Sequence, residues 1–448
     1  MATQPGTTAR AIDWDAVFAA VEAKEDRLVE RLRQIIRIDN CIPPGRNYDT
    51  LVDLVEPQFW RYGFETERVV IPEEQIKAIP LPLEGERINL VATKKSGKPP
   101  LSVYAHMDTV PIEEGWDYDP FGAEIHDGRV YGRGVADMKG TIASLLTALE
   151  VMQEQGLEPV WDITACLCTD EEIGVYPGIW HLAQHGYVTA PMLCLEGSQD
   201  PVLRLGSNGA VDVTITVHGR SCHSGANYLG VNAIEEMVPI MVELLALKQE
   251  VEARRSALPL APAPGAPDNL RPMFNLDIIH AGVKSNIVPS TCTLVVNRRF
   301  IPEEKYEDVE REIREAVARG QAKSKALGVD VSFMKAYPAY YQSADHPLAR
   351  KLVAILKRLH GYRDEDFIRT GSGGSTDMAN VAETLGTDQI ATVGLGRQRE
   401  SRAHGANESV RLSDAKAHVK ELIYLFCAPE IAPATSDERR ATSDGDAA

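Results

Sequence analysis

CLCTDEEIG, residues 166–174, joins two features that rarely meet. The run Ile163 to Cys168 is apolar enough to be a buried strand, yet it leads into three acids, Asp170, Glu171 and Glu172. Neighbouring carboxylates repel one another, and burying them without a partner is costly. A strand that ends this way calls for a positive group at its tip. In open α/β sheets that tip is where ligands bind.

The flanking sequence extends the pattern. INLVATK (88–94) and PLSVYAHMD (100–108) read as strands, and KGTIASLLTALEVMQEQG (139–156) as a helix that stops at Gly156. GIWHLAQHG (178–186) is a short helix and APMLCLEGS (190–198) another strand, while residues 14–37 carry apolar positions at helical spacing. This alternation predicts an α/β fold, a layered domain with a mixed, largely parallel sheet. Near residue 209 the pattern changes. AVDVTITVHGR (210–220) alternates like a half-exposed strand and is followed by a helical stretch over 230–251. After a Pro/Ala/Gly-rich loop (256–268) come the strands PMFNLDIIHAG (272–282) and TCTLVVNRRF (291–300), then a charged amphipathic helix over 303–327. These elements predict a smaller α+β insert. LARKLVAILKRLHG (348–361) and DQIATVGLG (388–396) return to the first pattern. The expected division is 1–208 and 328–428 as two parts of one layered domain, 209–327 as the insert, and 429–448 as a disordered tail.

Composition narrows the function. The 448 residues are 44% apolar, which suffices for two domains with a sizeable core. A formal net charge of −18 argues against nucleic acid and against an anionic membrane surface. No apolar stretch approaches the ~18 residues of a membrane span. The opening MATQPGTTARAIDWD lacks a charged-then-apolar signal pattern, and the seven cysteines show no CxxC pairing. The expectation is a cytoplasmic protein with reduced thiols.

Chemistry-bearing residues recur at strand ends. His106 and Asp108 lie two apart at the end of an apolar strand, so imidazole and carboxylate share a face. Asp137 follows the glycine-rich DGRVYGRGVADMKG and precedes a helix. Glu171 and Glu172 follow the next strand, Glu196 ends the one after, and His404 lies in AHGANES. Taken singly, a hydrogen-bonded His–Asp pair and a helix cap at Asp137 account for two of these stretches. Taken together, imidazole and carboxylate donors at separate strand ends suit Zn²⁺, Mn²⁺ or Co²⁺. The positive partner of the acidic strand tip is then a pair of divalent ions. Glu172 binds metal, and Glu171 takes a proton from metal-activated water.

HMDTVP, GRGVADMKG, DEEIG, LEGS and HGANES occur in an order and spacing that resembles one family over roughly residues 25–425. It is the family of metal-dependent aminoacylases, acetylornithine deacetylases, succinyl-diaminopimelate desuccinylases and glutamate carboxypeptidases. The resemblance implies one or two divalent ions per subunit, Zn²⁺ foremost, with Mn²⁺ or Co²⁺ as alternatives. His106, Asp137 and Glu196 hold one ion; Asp137, Glu172 and His404 hold the second, with Asp137 bridging. Asp108 supports a ligand, and Glu171 is the general base. The insert resembles the family's lid, or dimerisation, domain, which implies a homodimer. His223, in RSCHSG, matches a lid histidine that stabilises the oxyanion. Asn286 and Arg299 match residues that bind a substrate carboxylate, leaving Arg298 to solvent. Gly373, Gly374 and Ser375, in GSGGSTD, match a substrate-binding glycine loop.

The implied activity is hydrolysis of an amide C–N bond in a small carboxylate-bearing substrate, an N-acyl amino acid or short peptide. An alternative keeps the metal site but releases ammonia from an amino-substituted, even aromatic, acid. A non-catalytic binding relative is the third reading, and the presence of Glu171 and all five proposed ligands weighs against it. Arg397, Arg399 and Arg402 depart from the family pattern and belong either to a solvated loop or to recognition of an anionic or aromatic substrate.

Overall fold

The computed structural model describes residues 12–174, 178–397 and 399–429. Of the expected tail over 429–448, only Pro429 lies within the described residues. The main sheet has six strands in the order Glu65–Val70, Ile88–Lys94, Asp162–Cys168, Pro100–His106, Met192–Cys194, Ile390–Thr392. The first two pairings are antiparallel and the remaining three parallel. The sheet is therefore mixed and parallel at its centre. Its last strand comes from beyond the insert, so both flanking segments build one sheet.

The central strands are apolar on both faces, as a covered parallel sheet requires. Leu101, Val103, Ala105, Ile163, Ala165 and Leu167 pack on one side, in a cluster with residues of helices Glu25–Ile36, Lys139–Glu154 and Leu412–Cys427. Tyr104, Cys166 and Cys168 pack on the other, with Ile179, Leu182, Met378 and Val381 from two shorter helices. Covered faces leave the strand ends as the place for polar chemistry. The loops past Met192–Cys194 and Ile390–Thr392 touch there. A Cβ on Gly394 would lie 2.5 Å from the Gly197 backbone nitrogen, so this approach tolerates no side chain.

The lid is a four-stranded antiparallel sheet in the order Met273–Ala281, Thr291–Phe300, Gly209–His218, Gly328–Tyr337. Its fourth strand begins just past the boundary at 327 read from the sequence. Helices Ala233–Glu252 and Tyr306–Gln321 pack on one face, burying Val211, Val213, Ile215 and Val217 from alternate positions. A three-stranded sheet near the junction pairs Val202–Ser207 with Tyr340–Tyr341 and Ile368–Ser372. Among the described residues, no helix is long and apolar enough to cross a membrane.

Candidate metal centre

The three acids after strand Asp162–Cys168 go to three different places. Asp170 turns inward with φ at +61° and is fully buried. Its carboxylate accepts a hydrogen bond from the Tyr48 hydroxyl at 3.0 Å and lies 3.4 Å from Arg87 Nε. The positive partner of Asp170 is thus Arg87 and not a metal ion. This left-handed turn, which Asp adopts more readily than most residues, sends the next two side chains apart. Glu171 joins Glu196 and Asp377; Glu172 joins His106 and Asp137.

Asp137 stands between two histidines. Its Oδ1 lies 3.2 Å from His106 Nε2 and its Oδ2 lies 3.2 Å from His404 Nε2. His404 Nε2 is also 3.0 Å from Glu172 Oε2. The loop that carries Asp137 is held by the buried Glu408, whose carboxylate accepts from the backbone N–H groups of Gly134, Ala136 and Asp137 and pairs with Arg133. Gly134 makes this loop possible, since its φ is +83° and a Cβ there would lie 2.5 Å from Thr109 Cγ2.

The His106 ring is oriented from behind. Its Nδ1 lies 3.1 Å from the Asp108 backbone carbonyl and 3.7 Å from Asp108 Oδ1. A proton on Nδ1 donated to that carbonyl leaves the Nε2 lone pair facing Asp137. The Asp108 carboxylate instead accepts the Glu172 backbone N–H at 2.9 Å. Sequence reasoning put the Asp108 side chain on the imidazole; here its backbone does that, and its side chain steadies the turn bearing Glu172.

The charge at this centre is unbalanced. Burial, then Asp377 and Glu196, raise the Glu171 carboxyl well above the usual range. Burial also raises Glu172 and Glu196, and pushes Asp377 up to about 7 against a hydrogen bond from Tyr104. Burial opposes ionisation of Asp137 as well, but the two imidazoles outweigh it and hold this carboxyl below its ordinary value. Glu172 Oε1 and Asp108 Oδ1 are buried and meet no hydrogen-bond donor among the described residues. Glu172, with one oxygen that lacks a donor, lies with His106 and Asp137 in a group whose ligand atoms are all within 4.8 Å of one another, a donor set for divalent cations. The residues present fit such ions.

Glu196 lies in the group with Glu171 and Asp377, apart from the group of His106, Asp137 and Glu172. Asp377 was missed in the sequence, although it closes the GSGGSTD stretch. It is 1% exposed and accepts a hydrogen bond from Tyr104, which lies on the strand that ends at His106. Glu408 was missed too, within the same HGANES stretch that supplied His404.

The lid residues divide into two sets. Arg299 reaches the loop after strand Ile368–Ser372, where its Nη1 donates to Ser375 Oγ at 2.9 Å. Ser375 Oγ in turn donates to the Asn208 carbonyl. Gly374 N donates to Ser372 Oγ, and a Cβ on Gly373 would lie 3.1 Å from Met273 Cε of the lid. His223 and Asn286 are exposed neighbours on the lid: the Ser224 N–H donates to the Asn286 carbonyl, and His223 Nδ1 accepts from Gly225. Among the described residues, neither hydrogen-bonds to the metal cluster.

Two arginine expectations are corrected. Arg298 does not face solvent. It is 1% exposed and its Nη2 donates to Glu304 Oε1 at 2.6 Å, because residue 298 points to the face that helix Tyr306–Gln321 covers. Arg397 is not simply a solvated side chain, although it borders the cavity beside Asp137 and Glu196. Its guanidinium binds Asp414 at 2.7 and 2.8 Å and Asp200 at 3.2 Å, which ties the loop to the first turn of the last helix. Arg399 and Arg402 are exposed.

A sequence model of peptidase family M20/M25/M40 matches residues 102–426. Succinyl-diaminopimelate desuccinylase of Acidiphilium cryptum is 26% identical over 351 residues, which span 76% of this chain and 87% of the relative. Acetylornithine deacetylase of Aliivibrio fischeri is 31% identical over 277 residues, 61% of this chain and 70% of the relative. The crystal structure of human carnosine dipeptidase 1 superposes with a TM-score of 0.69 at 16% identity, covering 93% of this chain and 98% of that chain.

Proposed function

Because the chain belongs to peptidase family M20/M25/M40, and so is a metal-dependent hydrolase of amide C–N bonds, we propose that it cleaves small N-acyl amino acids or short peptides that carry a free carboxylate. The observation that carries this reading is the Arg299–Ser375 contact, which brings a lid guanidinium to the catalytic domain. The two curated relatives reported above are named as deacylases, and such substrates offer a carboxylate for that guanidinium.

His106, Asp137, Glu172, Glu196 and His404 are the residues that would hold the ions. When bound, divalent ions polarise the scissile carbonyl and lower the pKa of water. Glu171 does the proton work. Burial and its acidic neighbours favour its protonated form, so it is disposed to take a proton from the attacking water and pass it to the leaving amine. Water's oxygen ends on the acyl carbon and the proton on the amine nitrogen as the C–N bond breaks. Arg299, with Ser375 and the backbone of Gly373 and Gly374, holds the substrate carboxylate and fixes the amide against the cluster. The Asp108 carboxylate keeps the Glu172 turn in place.

The proposed lid, 209–327 with its last strand running to 337, also supports a homodimer. Ile234, Val238, Val242 and Leu245 are exposed at helical spacing on Ala233–Glu252, beside the edge strand Met273–Ala281 with its exposed Ile278 and Ile279. An uncovered apolar stripe beside an open sheet edge is suited to a second copy. Dimerisation through this face would bring the exposed His223 toward the other subunit. Sedimentation velocity on the wild type and on Val238→Glu/Val242→Glu tests the point, with a dimer expected to become a monomer. The activity is tested by a turnover screen of N-acyl amino acids, dipeptides and amino-aromatic acids with Zn²⁺, Mn²⁺ and Co²⁺. Turnover confined to the first two classes supports the reading, and turnover confined to the third rejects it.

A further inference from the structure

A line of hydrogen bonds crosses the lid sheet and ends in the loop after strand Ile368–Ser372. Asn297 and Asp212 stand directly opposite one another on strands Thr291–Phe300 and Gly209–His218. Asn297 Nδ2 donates to Asp212 Oδ1 at 2.7 Å. Arg299 Nε donates to Asn297 Oδ1 at 3.1 Å. Arg299 Nη1 donates in turn to Ser375 Oγ at 2.9 Å, and Ser375 Oγ to the Asn208 carbonyl at 2.9 Å. Residues 297 and 299 share one face of their strand, opposite to the face that buries Val296 and Arg298. Spacing within one strand and register with the next therefore bring Asp212, Asn297 and Arg299 into line.

The amide of Asn297 can lie only one way round. An ionised carboxylate accepts and a guanidinium donates, so Nδ2 must turn to Asp212 and Oδ1 to Arg299. Asp212 forms no ion pair among the described residues, and the Asn297 amide is the donor its side chain meets. Arg299 differs from Arg298 and Arg397, whose guanidinium groups are taken up by Glu304 and by Asp414 and Asp200. It forms no ion pair with a described carboxylate, and the two side chains that hold it, an amide and a hydroxyl, are both neutral. Its Nη2 meets no acceptor among the described residues. Fixed points at Nε and Nη1 thus set the plane of the guanidinium, while its charge and its Nη2 donors stay open to an anion.

On the reading proposed above, on which this inference rests, that anion is the substrate carboxylate. We infer that Asn297 is a positioning residue for Arg299, aligned in turn by Asp212, and that a neutral amide at this place holds the guanidinium without neutralising it. A carboxylate at 297 would pair with Arg299 and compete with the substrate. Two simpler roles make different predictions. If Asn297 and Asp212 only knit neighbouring strands together, their loss weakens the lid and affects every substrate alike. If Asp212 acts only through its charge, removing it strengthens the binding of an anion.

The experiment uses the metal-loaded wild type, Asn297→Ala, Asn297→Asp, Asp212→Ala, Arg299→Ala and the double variant Asn297→Ala/Arg299→Ala. Each is assayed on the most active N-acyl amino acid of the turnover screen, or on N-acetylalanine if none is active, and on the same compound with its carboxylate amidated. Urea midpoints are recorded for all. Asn297→Ala is expected to lower kcat/KM on the carboxylate compound by roughly 3–10-fold, the scale of one lost hydrogen bond. Asp212→Ala should lower it by a smaller factor, and Asn297→Asp should raise KM. None of the three should change turnover of the amidated compound, and Asn297→Ala should cost little more in the Arg299→Ala background. Undiminished kcat/KM with Asn297→Ala, equal losses on both compounds, or independent losses in the double variant would overturn the positioning role. So would a gain on the carboxylate compound with Asp212→Ala, or an unchanged KM with Asn297→Asp. Where neither compound is turned over, binding of both is measured by calorimetry. A preference for the carboxylate that depends on Arg299 and on Asn297 then leaves the positioning role standing while the proposed function falls. Without that dependence both fall.

Discussion

Asp137 Oδ2 and His404 Nε2 lie 3.2 Å apart, although one residue precedes helix Lys139–Glu154 and the other sits in a loop before the last helix. The other oxygen of the same carboxylate faces His106 at the same distance. One carboxylate divided between two imidazoles would suit a ligand shared by two divalent ions, whose mutual repulsion its charge would offset.

Asp137→Ala should therefore weaken both ion sites together. Elemental analysis after dialysis is expected to show both ions lost in parallel with rising chelator. A variant that keeps one ion at wild-type affinity would show that Asp137 serves one site alone.

Glu171→Gln keeps size and hydrogen bonding but cannot take a proton. Turnover should fall by ~10²-fold or more, the scale of general-base loss, while metal content stays near that of the wild type. Loss of metal with little loss of rate per bound ion would mean that the roles of Glu171 and Glu172 have been exchanged.

Arg298 and Arg299 should respond in opposite ways. Arg299→Ala is expected to lower kcat/KM by ~10–10³-fold on a carboxylate substrate and to have little further effect once that carboxylate is amidated, as expected for a lost charge-assisted contact. Arg298→Ala removes a buried partner of Glu304, which Arg254 still contacts at 2.7 Å. It should cost about 1–3 kcal/mol of stability and be read as a lower urea midpoint. An Arg298 variant of wild-type stability and reduced kcat/KM would place the substrate contact on the wrong arginine.

What was legible in the sequence followed from periodicity. His106, Asp137, Glu171, Glu172, Glu196 and His404 all lie at the ends of apolar runs or in the loops beyond, and a covered parallel sheet collects those ends on one edge. Strand parity also put Arg298 and Arg299 on opposite faces. What parity does not reveal is which face a helix covers, so the buried side of Arg298 was hidden. Arg87 beneath Asp170, Tyr104 beside Asp377 and Asp414 on Arg397 were hidden for a related reason. Each pair joins elements distant in the chain, and neither member has a local pattern that marks the other.

His418 carries a pH dependence separate from catalysis. It is fully buried on the last helix, and burial lowers its pKa below the ordinary imidazole value, with Glu421 opposing. Just below the unfolded value of ~6.5, the unfolded chain takes up a proton that the folded chain refuses. Stability then rises with pH through that window and is lost as pH falls below it. His418→Leu should flatten the loss between pH 7 and 5 by up to ~1.4 kcal/mol per pH unit, measured by urea unfolding. Identical slopes for variant and wild type would mean that His418 is not the group responsible.

The most direct test of a metal-dependent amide hydrolase is to follow both products in one reaction. Chelator-stripped protein is assayed on an N-acyl amino acid as Zn²⁺, Mn²⁺ or Co²⁺ is added back, with free amino acid, free acyl carboxylate and ammonia all quantified. The expected result is no turnover without metal, then amino acid and carboxylate in equal amounts with no ammonia. Ammonia in place of the amino acid, or undiminished turnover in excess chelator, would contradict the account.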